Sequence, residues 1–228
     1  MESMELTVLM PCLNECEGLA FSIGEAKECI DKYGISAEIL IADNGSTDGS
    51  QKIAESLGAR VINVPERGYG NALIGGINAA IGKYIIMGDC DGSYNFSDIY
   101  RILTRLREGY SLVMGNRFTG GIEKGAMPFL HRKIGVPFLS WLGRVKFKTD
   151  VGDFHCGLRG FDREKALSLN LKCGGMEFAT EIIASFAKLS EKICEIPTPL
   201  RVDKRKGASH LRTLRDGMRH LIYIIRNS

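Results

Sequence analysis

No Cys-x-x-Cys pair occurs among the seven cysteines, at positions 12, 16, 29, 90, 156, 173 and 194, and their number is odd. Such a set suits neither a disulfide framework nor a zinc knuckle, and Cys29 and Cys194, in apolar runs, read as buried reduced thiols. No stretch approaches the ~20 consecutive apolar residues needed to span a bilayer. Met1-Glu2-Ser3-Met4-Glu5 has neither the basic region nor the apolar core of a secretion signal, so a cytoplasmic location is expected. No internal repeat or low-complexity linker divides the chain, and its 228 residues suffice for one large domain. Acidic residues are missing altogether from 129–149, a segment with many large apolar residues and five basic ones.

Charge is unevenly spread. Residues 201–226 hold six Arg and two Lys against two Asp, a balance of +6 in a chain whose total is +3, leaving −3 for the remainder. A basic tail on a neutral-to-acidic body points to an anionic partner. Aromatics do not interleave with these charges, which argues against nucleic acid.

In the first half, short apolar runs at 6–10, 39–42, 59–64, 84–88 and 111–115 read as strands. Helical patterns at 17–32, 48–57, 70–80 and 97–107 alternate with them, with Asp48 and Ser97 as expected N-caps. The alternation predicts an α/β fold with a mostly parallel, Rossmann-like central sheet covered by helices on both faces. Beyond 115 the rhythm breaks. Residues 116–127 are glycine-rich and loop-like, Pro137 should kink or divide any helix, 153–161 is expected to return to the sheet, 177–189 to be a helix, and 193–196 a strand.

The chemistry concentrates at Asp89-Cys90-Asp91, which closes the run Lys83-Tyr84-Ile85-Ile86-Met87-Gly88. Carboxylates at i and i+2 on a strand point the same way, with Cys90 turned from them. Open α/β sheets bind ligands at such strand ends. A carboxylate pair suits Mg²⁺ or Mn²⁺, which completes its shell with substrate phosphates and water. Two further polar clusters follow strands: Pro11-Cys12-Leu13-Asn14-Glu15, and Asp43-Asn44-Gly45-Ser46-Thr47-Asp48-Gly49-Ser50. All three should converge on one sheet edge. Gly68-Tyr69-Gly70 imitates a dinucleotide loop, but it follows the third strand and Leu73 stands where the third glycine belongs.

With Gly115-Asn116-Arg117-Phe118, these motifs in this order resemble the family 2 inverting glycosyltransferases of GT-A fold. The segments 153–161 and Gly207-Ala208-Ser209-His210-Leu211-Arg212 bring the chain nearest the branch of dolichyl- and polyprenyl-phosphate mannose or glucose synthases, though His210 stands where that branch has Lys. The resemblance implies a nucleotide-diphosphate sugar held by Pro11, Asn14, Glu15, Asp43 and Ser46, with Asp89 and Asp91 holding the metal. It implies a polyprenyl phosphate acceptor met by Arg117, Arg132, Lys204 and Ser209. The corresponding units are a donor half (1–115), an acceptor-side half (116–207) and a basic C-terminal helix (208–228).

A phosphate monoester has a second pKa near ~6 and is already nucleophilic at neutral pH, so no general base is required. A hydroxyl acceptor would need one, and Asp153 or Glu177 would be the candidates. The alternatives are a soluble or glycan acceptor, or a non-catalytic sugar-nucleotide or membrane-docking module. Leu211, Leu214, Met218, Leu221 and Ile225 follow helical spacing beside Arg212, Arg215, Arg219 and Arg226. That pattern fits either a helix lying on an anionic membrane surface at its cytoplasmic face, or one packed on the core with a solvated basic face. His155 reads as a hydrogen-bonded framework residue, and homo-oligomerisation is left open.

Overall fold

The computed structural model describes residues 4–205 and 213–227; Ser209 and the rest of the Gly207–Arg212 motif lie outside the described residues. A seven-stranded sheet runs β3-β2-β1-β4-β6-β5-β7. Strands β1 (Leu6–Cys12), β2 (Ala37–Asp43), β3 (Arg60–Asn63) and β4 (Tyr84–Met87) are mutually parallel. β5 (Leu112–Asn116) pairs parallel with β7 (Ile193–Pro197), while β6 (Arg159–Asp162) lies antiparallel between β4 and β5. Every residue of β1 is buried, the state of a parallel strand covered on both faces, and Leu-Thr-Val-Leu-Met-Pro-Cys is correspondingly apolar except for Thr7, whose hydroxyl donates to Glu38 at 2.7 Å.

Helix α1 (Cys16–Tyr33) buries Leu19, Ile23, Ala26 and Cys29 along one stripe and stops at Gly34, whose φ of 59° is left-handed and free of Cβ strain. α2 (Ser50–Ser56), α3 (Tyr69–Ala79) and α4 (Ile99–Arg107) complete the first half, as the periodicity predicts. α2 begins at Ser50, whose N–H donates to Asp48 Oδ1 at 3.0 Å, so Asp48 supports the helix from outside it. Ser97 is not the expected cap: Asn95 accepts from its N–H at 3.3 Å and opens a 3₁₀ turn that leads into α4.

In the second half, Asn116 caps a helical turn, α5 (Arg117–Gly120), inside what reads as loop. Pro137 sits in the first turn of α6 (Val136–Phe147), where a missing N–H costs nothing, and a π-turn at His131–Gly135 precedes it. Only the end of 153–161 enters the sheet, as β6. α7 (Arg163–Ser168), α8 (Phe178–Lys188) and α9 (Thr213–Arg226) follow. α9 packs on α6 and α8 through Asp216, His220 and Ile224. Its Met218 and Ile225 are exposed and Leu221 is half-buried, so the buried face is not the apolar stripe read from spacing. Arg159, 1% exposed, donates to the carbonyls of Cys156 and, at 3.0 Å, Ala179, joining β6 to α8.

Strand order grows in one direction from β1 to β3 and then reverses to β4, so the sheet has its switch point between β1 and β4. The clusters after β1, β2 and β4 all open there.

Candidate active site

The backbone places Asn14 and Glu15 beyond β1, Asp43 at the end of β2, and Asp89 and Asp91 beyond β4. Asn14 holds a left-handed φ of 56°, which Asn tolerates better than most residues. Its N–H donates to Ser46 Oγ at 2.9 Å, and its Oδ1 accepts from Thr47 N–H at 2.8 Å. The first two polar clusters are thereby sewn together. Glu15 N–H donates to Ser50 Oγ at 3.0 Å and Cys16 N–H to Asp48 Oδ2 at 3.0 Å. Although burial opposes it, hydrogen bonds from Ser50 and Cys16 hold the Asp48 carboxyl down to about 2. Asp48 belongs to the scaffold.

Asp43 is fully buried. Its Oδ2 accepts from Gly45 N–H and Ser46 N–H, each at 3.0 Å, and from Gln51 Nε2 at 2.6 Å. Its Oδ1 has no partner among the described residues. A buried carboxylate oxygen left unpaired is costly, so this acceptor is suited to a donor group supplied by a ligand. Asn44 builds the wall beyond it, donating to the carbonyls of Val64 and Glu66 at 2.9 and 2.8 Å and accepting from Gly68 N–H at 2.7 Å.

Asp91 is 5% exposed, with Oδ1 accepting from Ser93 N–H at 2.9 Å. Burial and the neighbouring Asp91 push the Asp89 carboxyl up to about 6, and a hydrogen bond from Tyr69 only partly offsets them. Cys90 turns inward, donating its thiol to the Pro11 carbonyl at 3.2 Å, as strand alternation requires. Pro11 thus reaches the Asp89–Asp91 loop through its backbone.

Spacing did not reveal Arg205, which spans the mouth. Its Nε donates to both Glu15 oxygens at 2.8 Å, and its Nη2 lies 2.7 Å from Glu15 Oε1 and 2.9 Å from Asp91 Oδ2. Burial disfavours its charge, but the bonds to Glu15 and the field of Asp91 hold its pKa above the ordinary value. Burial likewise raises the Glu15 carboxyl against the pull of Arg205. The loop carrying Arg205 is pinned by Lys204 N–H to the Asp91 carbonyl at 2.8 Å and by Arg201 N–H to the Ser93 carbonyl at 2.9 Å. Lys204 packs against Gly92 and rests its ammonium 4.1 Å from the Phe21 ring centroid, on the Asp91 side of the site.

Tyr69 and Tyr94 were also missed. The Tyr69 hydroxyl bonds Asp89, and that of Tyr94 accepts from Gly157 N–H at 2.7 Å. Gly68 and Gly70, rejected above as a dinucleotide loop, let residues 173–175 pass closely: a Cβ on Gly70 would stand 1.9 Å from the Cys173 carbonyl oxygen.

Arg117 is 7% exposed and Asp153 fully buried. Arg117 Nε lies 2.7 Å from Asp153 Oδ2 and its Nη2 2.8 Å from Oδ1, a two-pronged pair that spacing could not reveal. Asp153 is further fixed by the N–H groups of Arg117 and His155, while Glu195 holds the backbone of Gly152 and Asp153 at 2.9 Å. Glu177 accepts from Arg219 Nη2 at 2.7 Å. Arg132 is exposed in the π-turn before α6. The His155 ring nitrogens have no partner among the described residues, contrary to the expected hydrogen-bonded role. Its ring stands edge-on to His220, centroids 4.4 Å apart, and burial pushes its pKa well below the usual value.

The family model described as "Glycosyl transferase family 2" fits residues 7–168, a span that includes the Asp-x-Asp pair at the switch point, Asn14-Glu15 and Asp43. The chain belongs to glycosyl transferase family 2. It is a glycosyltransferase enzyme, so the non-catalytic alternative falls away. One relative, the low-salt glycan biosynthesis hexosyltransferase Agl6 of Haloferax volcanii, is 35% identical over 98% of this chain and 54% of its own length. A dolichyl-phosphate hexose transferase of the same organism is 28% identical over 91% of this chain and 86% of its own. The chain thus spans about half the length of the first relative and most of the second. Among solved structures, glucosyl-3-phosphoglycerate synthase of Mycobacterium tuberculosis with phosphoglyceric acid superposes with TM-score 0.74 at 22% identity, covering 97% of this chain and 79% of that one. The same enzyme with Mn²⁺, UDP and phosphoglyceric acid gives 0.70 at 22% identity, covering 97% and 76%. These likenesses establish the GT-A fold.

Proposed function

We propose that this family 2 glycosyltransferase transfers a hexose, with inversion, from a nucleotide-diphosphate sugar (GDP-mannose or UDP-glucose) to the phosphate of a polyprenyl or dolichyl phosphate. The observation that carries the acceptor assignment is the pairing of Asp153, the fully buried candidate base. Asp153 is locked on Arg117 and is no ready proton acceptor for a hydroxyl nucleophile, while Glu177 meets Arg219 through Oε1 and keeps Oε2 without a partner among the described residues. A phosphate monoester needs none.

The donor set fits a divalent cation. Burial and the neighbouring Asp91 carboxylate together raise Asp89, and Asp91 already draws a guanidinium to itself. No cluster of three or more His, Cys, Asp or Glu able to cage a metal occurs among the described residues. An ion held by Asp89 and Asp91 would complete its shell with diphosphate and water. Mg²⁺ or Mn²⁺, when bound, stabilises charge on the departing diphosphate.

Asp43 Oδ1 accepts a hydrogen bond from the nucleoside, and the Asn14–Ser46 junction shapes the pocket floor. A phosphate oxygen of the acceptor attacks the anomeric carbon. The new C–O bond forms as the bond to the diphosphate breaks on the opposite side, and no proton moves. Arg117, held by Asp153, and exposed Arg132 steer the acceptor phosphate, and Arg205 turns from Asp91 toward the incoming diphosphate. Among the described residues no helix is long and apolar enough to cross a membrane. In this reading the acceptor is met at the cytoplasmic membrane face. The test is a panel of sugar nucleotides with Mg²⁺ or Mn²⁺ and a detergent-dispersed short polyprenyl phosphate, followed by mass spectrometry. A glycosyl phospholipid is expected; turnover with water-soluble acceptors alone would overturn the reading.

A further inference from the structure

The least explained surface of the molecule is apolar. Phe129, Leu130, Ile134, Phe138, Trp141 and Val145 are 70, 65, 60, 51, 52 and 62% exposed, and all belong to the π-turn and α6 or the two residues before them. From Leu130 to Val145 the spacing is four, four, three and four residues, which aligns them on one helix face. A monomer rarely leaves so many large apolar side chains together in water. The opposite face is not in doubt. Ser140, Gly143 and Phe147 are buried; Ser140 Oγ accepts from Phe154 N–H at 3.2 Å, and a Cβ on Gly143 would meet the Phe154 ring at 2.6 Å. The helix is therefore seated on the turn whose Asp153 holds Arg117. α9, packed beside α6, adds exposed Met218, Ile222 and Ile225.

The charges identify the occupant. Residues 129–149 contain no carboxylate, while Lys133 and Arg144 stand next to Ile134 and Val145 in sequence and are exposed. On α9, Arg215 and Arg226 are exposed as well. A second copy of the same face would set basic groups against basic groups. An apolar helical stripe with a basic border matches the boundary between anionic headgroups and acyl chains. We propose that α6 and the π-turn before it, flanked by α9, form a docking face that inserts into an anionic lipid bilayer and presents the Arg117–Asp153 end of the site to the membrane. This refines the membrane-lipid acceptor proposed above, but docking is measurable without catalysis.

Trp141 is the chain's single tryptophan, so its fluorescence reports the face directly. The 228-residue chain is mixed with phosphatidylcholine vesicles with or without phosphatidylglycerol. Expected are a blue shift of Trp141 emission, quenching by brominated lipid, and co-sedimentation, all dependent on phosphatidylglycerol. The double change Phe138→Ser and Val145→Ser, at exposed positions, should abolish the shift. Lys133→Gln with Arg144→Gln should weaken partitioning by roughly fivefold per charge. Both variants should match the wild type in melting temperature and in turnover of detergent-dispersed acceptor, while losing turnover of vesicle-embedded acceptor. The proposal is overturned if the wild type ignores anionic vesicles, if it binds neutral ones equally, if the serine variant binds like wild type, or if that variant converts a dimer to a monomer in sedimentation velocity. Intact vesicle binding without glycolipid formation in detergent would instead sink the acceptor assignment alone.

Discussion

Asp153→Asn isolates the most consequential ion pair in the molecule. The substitution keeps the side-chain shape but removes the charge opposite Arg117, which stays buried at 7% exposure with two of its nitrogens aimed at that residue. Removing one partner of a buried pair costs about 3–5 kcal/mol, and an Asn oxygen still able to accept one bond places this change near 3. In a domain of this size each kcal/mol lowers Tm by about 2–4 °C, so a drop of roughly 6–12 °C is expected by calorimetry or circular dichroism. Arg117→Met alone should cost a similar amount, because it strands the carboxylate. The double variant should lose less than the two single losses combined, with a coupling of about 2–3 kcal/mol. An Asp153→Asn melting point unchanged from wild type, or additive losses in the double variant, would refute the reading of this pair as a buried mutual clamp. The same coupling makes Asp153→Asn a poor probe of general-base chemistry, since any loss of rate passes through Arg117.

Other expectations follow from the same geometry. Asp89→Ala and Asp91→Ala should each lower kcat/KM by at least ~10³-fold, the scale of a Lewis-acid contribution of several kcal/mol, and remove saturable Mn²⁺ binding in paramagnetic titration; a cation requirement that persists in the double variant would count against the pair. Arg205→Gln frees Asp91 and Glu15 from a charge-assisted clamp, so Mn²⁺ should bind the donor-free protein about tenfold more tightly by titration calorimetry while diphosphate affinity falls; unchanged values for both would remove Arg205 from the site. For His220, burial pushes the imidazole down to about 4, more than nearby Asp216 raises it. Its folded pKa lies below the unfolded value, so its contribution is complete above pH ~6.5 and drains away as pH falls toward 4, by about 3 kcal/mol. Thr180 Oγ1 lies 2.8 Å from its Nδ1. His220→Gln should flatten the decline in Tm over that window, and an equally steep decline in the variant would refute the assignment.

Much of this was legible from residue order because the information was local. Apolar runs such as 84–87, alternating with helical patterns, read as buried strands, and the polar clusters after β1, β2 and β4 fall on one edge as soon as the strands are parallel. The aspartate pair and the inward turn of Cys90 follow from a period of two. What escaped depends on contacts distant in sequence. Arg205 reaches Glu15 across 190 positions, and Arg117 and Asp153 are 36 apart, with no pattern linking them. Tyr69 hides in a Gly-x-Gly whose purpose is close passage of residues 173–175. The C-terminal helix misled for a different reason. Its buried face uses Asp216 and His220, polar residues that hydropathy spacing assigns to solvent, and Met218, Ile222 and Ile225 are left exposed.

The clamp between Arg117 and Asp153 also sets the architecture of variation. The chain departs from the sheet after β5 and re-enters at β6, and these two points are fastened together at the neck of the excursion. Everything between them, α6 included, is a loop closed at that pair, and it also rests on Leu200, β7, α8 and α9. Such a segment can vary in its turns without disturbing strand pairing, provided the pair and these seats stay in place. Grafting the equivalent stretch from a relative with a different acceptor is therefore the natural route to retargeting this enzyme.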